Sequence, residues 1–431
     1  MPDTQARTGY HGGTDGIDLS DLDHFWPAPL EHRAAAFDAL RSAPGPRFFE
    51  QPPGPVPEPG PGYWALTRYD EVVQASRAPG VFRSGPGATS VADMPDAFLE
   101  FFGSMINTDD PRHARLRRIV SRGFTPRRLA GLQDTVERTA REIVDDLLAD
   151  GEVEGVEAIS ARLPLRIICE MMGVPESHHR FVYDRTNVIL GASDPEYVPD
   201  RADIVTALLT AGGELAALMR ELGAARRAEP TDDVTSALVN AEIDGERLTD
   251  DELASFFVLL VVAGNETTRN ATSWGLQLLT ENPEQRAAWL ADPAGVTPTA
   301  IEEIVRWSSP VIYMRRTLSE PTVVGGTELP AGAKTALFYW SANRDPEHFT
   351  DPEVFDVRRS PNPHLGFGGP GPHFCLGAHL ARRQLATLFT ELLRRAPRVA
   401  VTGEPRRLRS MFINGITRLP VVADGGAGVL A

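Results

Sequence analysis

Residues 366–382 read GFGGPGPHFCLGAHLAR and contain Cys375, one of two cysteines in 431 residues. A glycine-rich loop that becomes a helix around a single thiol leaves few local folds open. Gly368, Gly369, Gly371 and Gly377 crowd that thiol. Glycine permits positive φ and lets backbone approach a flat or bulky partner closely. The run CLGAHLARRQLATLF has helical spacing and begins at or near Cys375. A thiol at a helix N-terminus feels the positive end of the dipole and nearby N–H donors, and both favour thiolate. Such a thiolate is a metal ligand or a nucleophile. Zinc needs further ligands, and the chain has no Cys-x-x-Cys pair. A nucleophile needs a base, and His373 is two residues away. The glycines suit a large planar ligand better, and a haem iron with one axial thiolate needs this cysteine alone. The plainer alternative for a lone cysteine is a small buried apolar side chain.

The rest of the chain sets the fold class. Apolar residues recur at three- and four-residue spacing in QDTVERTAREIVDDLLADG, ADIVTALLTAGGELAALMRELGAARRA and LGAHLARRQLATLFTELLRRA. GYWALTRY and TVVGGTELPAGAKTALFYW read as strands with Gly and Pro at the turns. Proline-rich EQPPGPVPEPGPGYW, residues 50–64, reads as a stiff surface loop because strand-like sequence follows at once. With no internal repeat, the expectation is mainly α: a single large helical domain over residues 19–431 with a minor β-sheet region. Residues 1–18 read as a mobile tail. The net charge of -16 argues against a nucleic-acid partner. Two cysteines cannot form a disulfide framework and point to a reducing, cytoplasmic setting. The N-terminus lacks the basic start and apolar core of a signal peptide. FFVLLVVAG, residues 256–264, is too short to span a bilayer, so no membrane span is expected.

Three further stretches carry polar residues at telling spacing. In LTDDELASFF, Thr249 and Glu252 form a capping box. The helix they open could run to about Leu279, roughly 45 Å at 1.5 Å per residue. AGNETT, Ala263 to Thr268, lies in its middle. Gly264 weakens the helix there and threonines compete for backbone carbonyls. In isolation this stretch would end the helix at Gly264. The pattern resumes in NATSWGLQLL, so a distorted turn inside one helix is expected. Glu303 and Arg306 are three residues apart and share a helical face. Alone they would be a surface ion pair of little worth. His113 and Arg117 in INTDDPRHARLRRIV also share a face, which alone reads as solvated basic surface.

Phe367-Gly368, Gly371, His373, Cys375, Gly377 and Leu380-Ala381-Arg382 together resemble the haem-binding loop of the cytochrome P-450 family. The loop is one residue longer than the commoner bacterial form. It resembles a bacterial branch that oxidises sterols, terpenoids and branched lipids. The resemblance extends from about Phe25 to Val422, with RSMFINGITRLPV similar to that branch's C-terminal hairpin. It implies haem b with Cys375 as axial thiolate, enclosed by Phe367, Gly368 and Gly377. It implies His113, Arg117, Arg316 and His373 as partners of the haem propionates, with Arg316 preferred to Arg315. Ala263 and Gly264 would border a groove for dioxygen. Thr267 would hydrogen-bond the oxygen held over the iron, and Glu266 would relay protons with water. Glu303 and Arg306 would be structural, locked by a third partner from the meander that follows Asn343, Arg344 and Asp345.

The activity implied is monooxygenation of an apolar small molecule, by hydroxylation or epoxidation. The candidates are a steroid, terpenoid, fatty acid or other secondary metabolite. Electrons would come from NAD(P)H through ferredoxin reductase and ferredoxin, to a monomer. Arg112, Arg115, Arg118 and Arg127 would give the acidic ferredoxin a local basic patch. Pocket walls would come from the loop after Phe82, residues 189–205, Ala263, Gly264, Val311 to Tyr313 and Met411 to Ile413. A haem-thiolate peroxygenase and a non-catalytic haem sensor are the alternatives. The Glu266–Thr267 pair speaks against both.

Overall fold

Thr249 caps the longest helix of the computed structural model, which describes residues 16–52, 60–124, 130–242 and 247–425. The Thr249 hydroxyl accepts the Glu252 N–H at 3.1 Å, and the Glu252 carboxylate accepts the Thr249 N–H at 3.1 Å. This is the box read from the sequence. The helix then runs Asp250–Glu281, 32 residues. Helical structure continues through AGNETT, so the distorted turn expected there does not interrupt it. A Cβ on Gly264 would stand 3.1 Å from Cδ1 of Ile168. Gly264 is small because the helix Arg162–Met172 packs against it.

This central helix is buried on most faces, as an element enclosed by others must be. Around it pack the helices Arg162–Met172, His179–Gly191, Ile204–Ala228, Pro293–Ser308 and Ala378–Arg395. Phe257, Val261, Leu215, Met219, Ile304 and Leu392 are all fully buried in this core. Burying each such side chain contributes about 1.5–3 kcal/mol. The stretch Arg201–Ala228 is long and apolar enough to cross a bilayer by length and composition. Its Leu215, Met219 and Leu222 are buried in the same core as the central helix.

A second core backs a five-stranded sheet. The strand order is Arg47–Phe49, Tyr63–Leu66, Lys334–Phe338, Tyr313–Leu318, Phe82–Arg83. Tyr63–Leu66 and Lys334–Phe338 run parallel, and the other pairs are antiparallel. GYWALTRY and KTALFYW, both read as strands, are therefore neighbours. Ile17, which the sequence placed in the tail, is buried here with Trp26 and Phe37. An apolar side chain with a core to enter holds the chain down. Residues 1–15 of that tail lie outside the described residues, as do 53–59 of the proline-rich loop.

Candidate active site

Two helices and the loop between residues 365 and 377 position Cys375. Its N–H donates to the Phe367 carbonyl at 3.0 Å. Gly368 turns the chain at φ +88°, a region that L side chains rarely adopt. A Cβ on Gly371 would stand 2.3 Å from the Ser76 carbonyl oxygen, so only glycine lets the loop press on the helix Tyr69–Arg77. Gly377 differs, because a Cβ there would meet nothing within 4 Å. The helix starts at Ala378, just beyond.

Cys375 is exposed, where the loop meets the start of the helix Ala378–Arg395. Burial pushes the thiol pKa up. The Gly377 N–H, the Arg117 and Arg382 charges and the Ala378 N–H pull the other way. Burial is the largest of these influences, and the N–H groups and cations oppose it. A coordinated metal ion takes such a thiol to thiolate outright. The other cysteine, Cys169, is fully buried in the helix Arg162–Met172, and burial raises its pKa to about 12.

Cationic and imidazole side chains gather beside the loop. The His113 and His373 rings are 4.2 Å apart between centroids. Ser84 Oγ lies 3.1 Å from His373 Nε2. Arg117 donates to the Phe374 carbonyl at 2.7 Å. Strand alternation separates the two candidate arginines. Arg315 pairs with Asp93 at 2.8 Å. Arg316 turns to the other face, beside His373 and Tyr339, and donates to the Arg315 carbonyl at 2.6 Å. Burial, together with the charges of Arg316 and His113, holds the His373 pKa down to about 3. Arg316 makes no salt bridge among the described residues; Asp109 acts on it only at a distance. A cluster that repels itself in this way fits an anionic group, and carboxylates such as propionates supply the missing charge.

The central helix presents a second opening. Ala263 is exposed and Gly264 and Thr267 are half-buried, midway along a mostly buried helix. The Thr267 hydroxyl donates to the Ala263 carbonyl at 2.9 Å. Glu266 does not share this opening. It is buried and paired with Arg269, whose Nη1 donates to Asn187 at 2.6 Å. Glu266 Oε1 has no hydrogen-bond partner. Burial raises the Glu266 pKa, against the opposing pull of Arg269 and Asn270. The acid–alcohol pair read from the sequence is thus split. Adjacent residues on a helix are about 100° apart, so one faces the opening and the other the protein.

Glu303 and Arg306 are fully buried rather than at the surface. Arg306 binds Glu303 through two bonds of 2.7 and 2.8 Å, and also the Asn343 and Pro352 carbonyls at 2.8 Å. Arg359 supplies the third partner, at 3.1 Å from Glu303. Arg112 and Arg115 of the expected basic patch are paired with acids, Glu100 and Glu252. Arg127 lies outside the described residues. Sequence reasoning missed Arg269, Glu302, Arg359 and Asp109, which receives the Ser84 N–H at 2.8 Å. The doubled acid in IEEIVRW and an arginine three residues beyond Glu266 were the available signals.

An accessible lone thiol with Arg117, Arg316, His113 and His373 gathered beside its loop fits a haem-thiolate protein. Comparison with known proteins agrees. The cytochrome P-450 family profile matches residues 211–289 and 295–399. A methyl-branched lipid omega-hydroxylase of Mycobacterium tuberculosis is 49% identical over 94% of this chain and 94% of its own. A steroid C26-monooxygenase of Mycolicibacterium smegmatis is 39% identical over 84% of each chain. A Mycobacterium marinum cytochrome P-450 solved with pseudoionone superimposes with a TM-score of 0.90 at 39% identity, covering 97% of this chain and 100% of that one. The chain belongs to the cytochrome P-450 family. It is a monooxygenase whose haem is held by a cysteine thiolate.

Proposed function

We propose that this enzyme hydroxylates an apolar, branched aliphatic or steroid-like lipid, with Cys375 as the axial ligand of haem b. The observation that carries the assignment is the accessible Cys375 thiol beside the open space at Gly377. Bound haem supplies dioxygen activation: one oxygen atom enters a C–H bond, the other leaves as water, and two electrons and two protons are consumed.

The chain's own residues do the rest. The Gly377 and Ala378 N–H groups and the Arg117 charge stabilise the sulfur's negative charge. His113, Arg117, Arg316 and His373 receive the propionates. Phe367, Gly368 and Gly377 would lie against the haem, and Ala263 and Gly264 would border the dioxygen groove. The Thr267 hydroxyl would exchange the Ala263 carbonyl for a bound partner. Glu266 keeps one carboxylate oxygen free to hold a proton, one residue from Thr267. The bridge between Val311 and Ile413 brings two of the expected pocket segments side by side. The substrates named for the two mycobacterial relatives support a lipid of this kind. Electrons come from NAD(P)H by way of ferredoxin reductase and ferredoxin, and the enzyme works as a cytoplasmic monomer.

The test is the spectrum of the reduced protein under carbon monoxide, followed by titration with methyl-branched lipids, steroids and terpenoid ketones. A strongly red-shifted Soret band in the wild type, lost in Cys375→Ala, is the expected result. A thiolate-type band that survives Cys375→Ala removes Cys375 from the role. Absence of any spin-state change with the lipids and steroids rejects the substrate class.

A further inference from the structure

Glu302 adjoins the buried Glu303 but has different partners. It receives Arg382 Nε at 2.6 Å and Nη2 at 2.8 Å, a bidentate pair. His364 Nε2 lies 2.9 Å from the same carboxylate. The Arg382 guanidinium carbon sits 4.2 Å from the centre of the Phe367 ring. The Phe367 carbonyl accepts the Cys375 N–H at 3.0 Å. Carboxylate, guanidinium, ring and cysteine are thus joined by direct contacts, from the helix Pro293–Ser308 across to the helix Ala378–Arg395.

Stability is a weak reason for this arrangement. The Arg382 and Glu302 side chains are 32% and 27% exposed, and such pairs are worth little. What the pair provides is geometry. A planar guanidinium held at two points stacks on a ring in one orientation, which lysine cannot do. The ring under the guanidinium belongs to the residue whose carbonyl accepts the Cys375 N–H, so the charge is held one residue contact from the cysteine.

We infer that Arg382 is a positioning residue: Glu302 holds its guanidinium on Phe367, and the charge and ring together set how strongly the Cys375 sulfur donates electrons. This rests on Cys375 as the axial ligand. Groups around a metal ligand tune the metal through charge and hydrogen bonding. Reduction adds negative charge to the site, and a cation close to the sulfur favours the reduced form.

The experiment is the midpoint potential of the haem-loaded protein by spectroelectrochemistry, with the reduced carbon monoxide spectrum taken on each sample. Arg382→Gln is expected to disfavour reduction about tenfold, a downward shift of ~59 mV for one electron. Arg382→Lys keeps the charge but frees it from the ring. It is expected to shift the potential less, and it decides the matter if Arg382→Gln fails to fold. In a Phe367→Leu background the Arg382→Gln shift is expected to shrink, because coupled residues do not add. Wild-type potentials in the variants that fold, with a thiolate-type carbon monoxide band retained, overturn the inference and leave the Cys375 assignment standing. A wild-type protein without that band overturns both.

Discussion

Thr267 donates its hydroxyl proton to the carbonyl oxygen of Ala263, 2.9 Å away and one turn earlier on the central helix. Such a bond adds little to the helix and bends it if anything. Thr267→Ala is therefore expected to leave the unfolding midpoint nearly unchanged. Product formed per NAD(P)H consumed should fall roughly tenfold or more, as for loss of a positioned proton donor. Thr267→Ser should recover most of it. Unchanged coupling in the alanine variant would remove Thr267 from the chemistry.

Arg269 is the counter-charge of Glu266 in a site closed to solvent. Arg269→Met would strand a buried carboxylate at a cost of about 3–5 kcal/mol. Adding Glu266→Gln should restore part of the loss. Urea unfolding of the two variants checks this, and additive losses would show that the residues are not coupled.

Neighbouring glutamates should behave differently. Glu303→Gln leaves Arg306 and Arg359 facing no charge inside the protein and should cost about 3–5 kcal/mol, with loss of haem retention. Glu302→Gln, at a partly exposed site, should cost no more than about 1 kcal/mol. Thermal unfolding of both, at one pH, makes the comparison.

Glu302 also gives a pH signature. Burial raises its pKa, but the hydrogen bonds from Arg382 and His364 outweigh this and bring it from 4.5 to about 2. A depressed carboxyl pKa stabilises the fold above the unfolded value, and that stability is lost as protons bind the native state. The loss should fall between pH 4.5 and about 2. Acid unfolding followed by circular dichroism should be steeper in this window for wild type than for Glu302→Gln.

Two glycines of the loop should fail in different ways. Gly371→Ala forces a Cβ against the Ser76 backbone and should destabilise the fold by about 1–3 kcal/mol. Gly377→Ala meets no protein atom and should leave the apoprotein as stable as wild type while weakening haem binding. Haem titration beside denaturant unfolding separates the two effects. Equal stability losses would mean that the space at Gly377 is not kept for the haem.

Much of this was legible in the residue order. A capping box, a glycine loop ending in a cysteine and a Glu-x-x-Arg spacing are local patterns, and local backbone chemistry is the same wherever the segment lies. The sequence alone thus determined the central helix, the loop that presents Cys375 and the partnership of Glu303 with Arg306. It did not determine directions. Strand alternation requires Arg315 and Arg316 to part, but only pairing with Lys334–Phe338 in the folded sheet decided that Arg315 meets Asp93 and Arg316 meets His373. Helical phase requires Glu266 and Thr267 to diverge, but only the packing of Asn187 and Arg269 decided which of them is enclosed. The stack of Arg382 on Phe367 joins residues to Glu302, which is 80 positions from Arg382 in the chain. Periodicity states which residues share a face; which neighbour covers that face is settled when the elements pack.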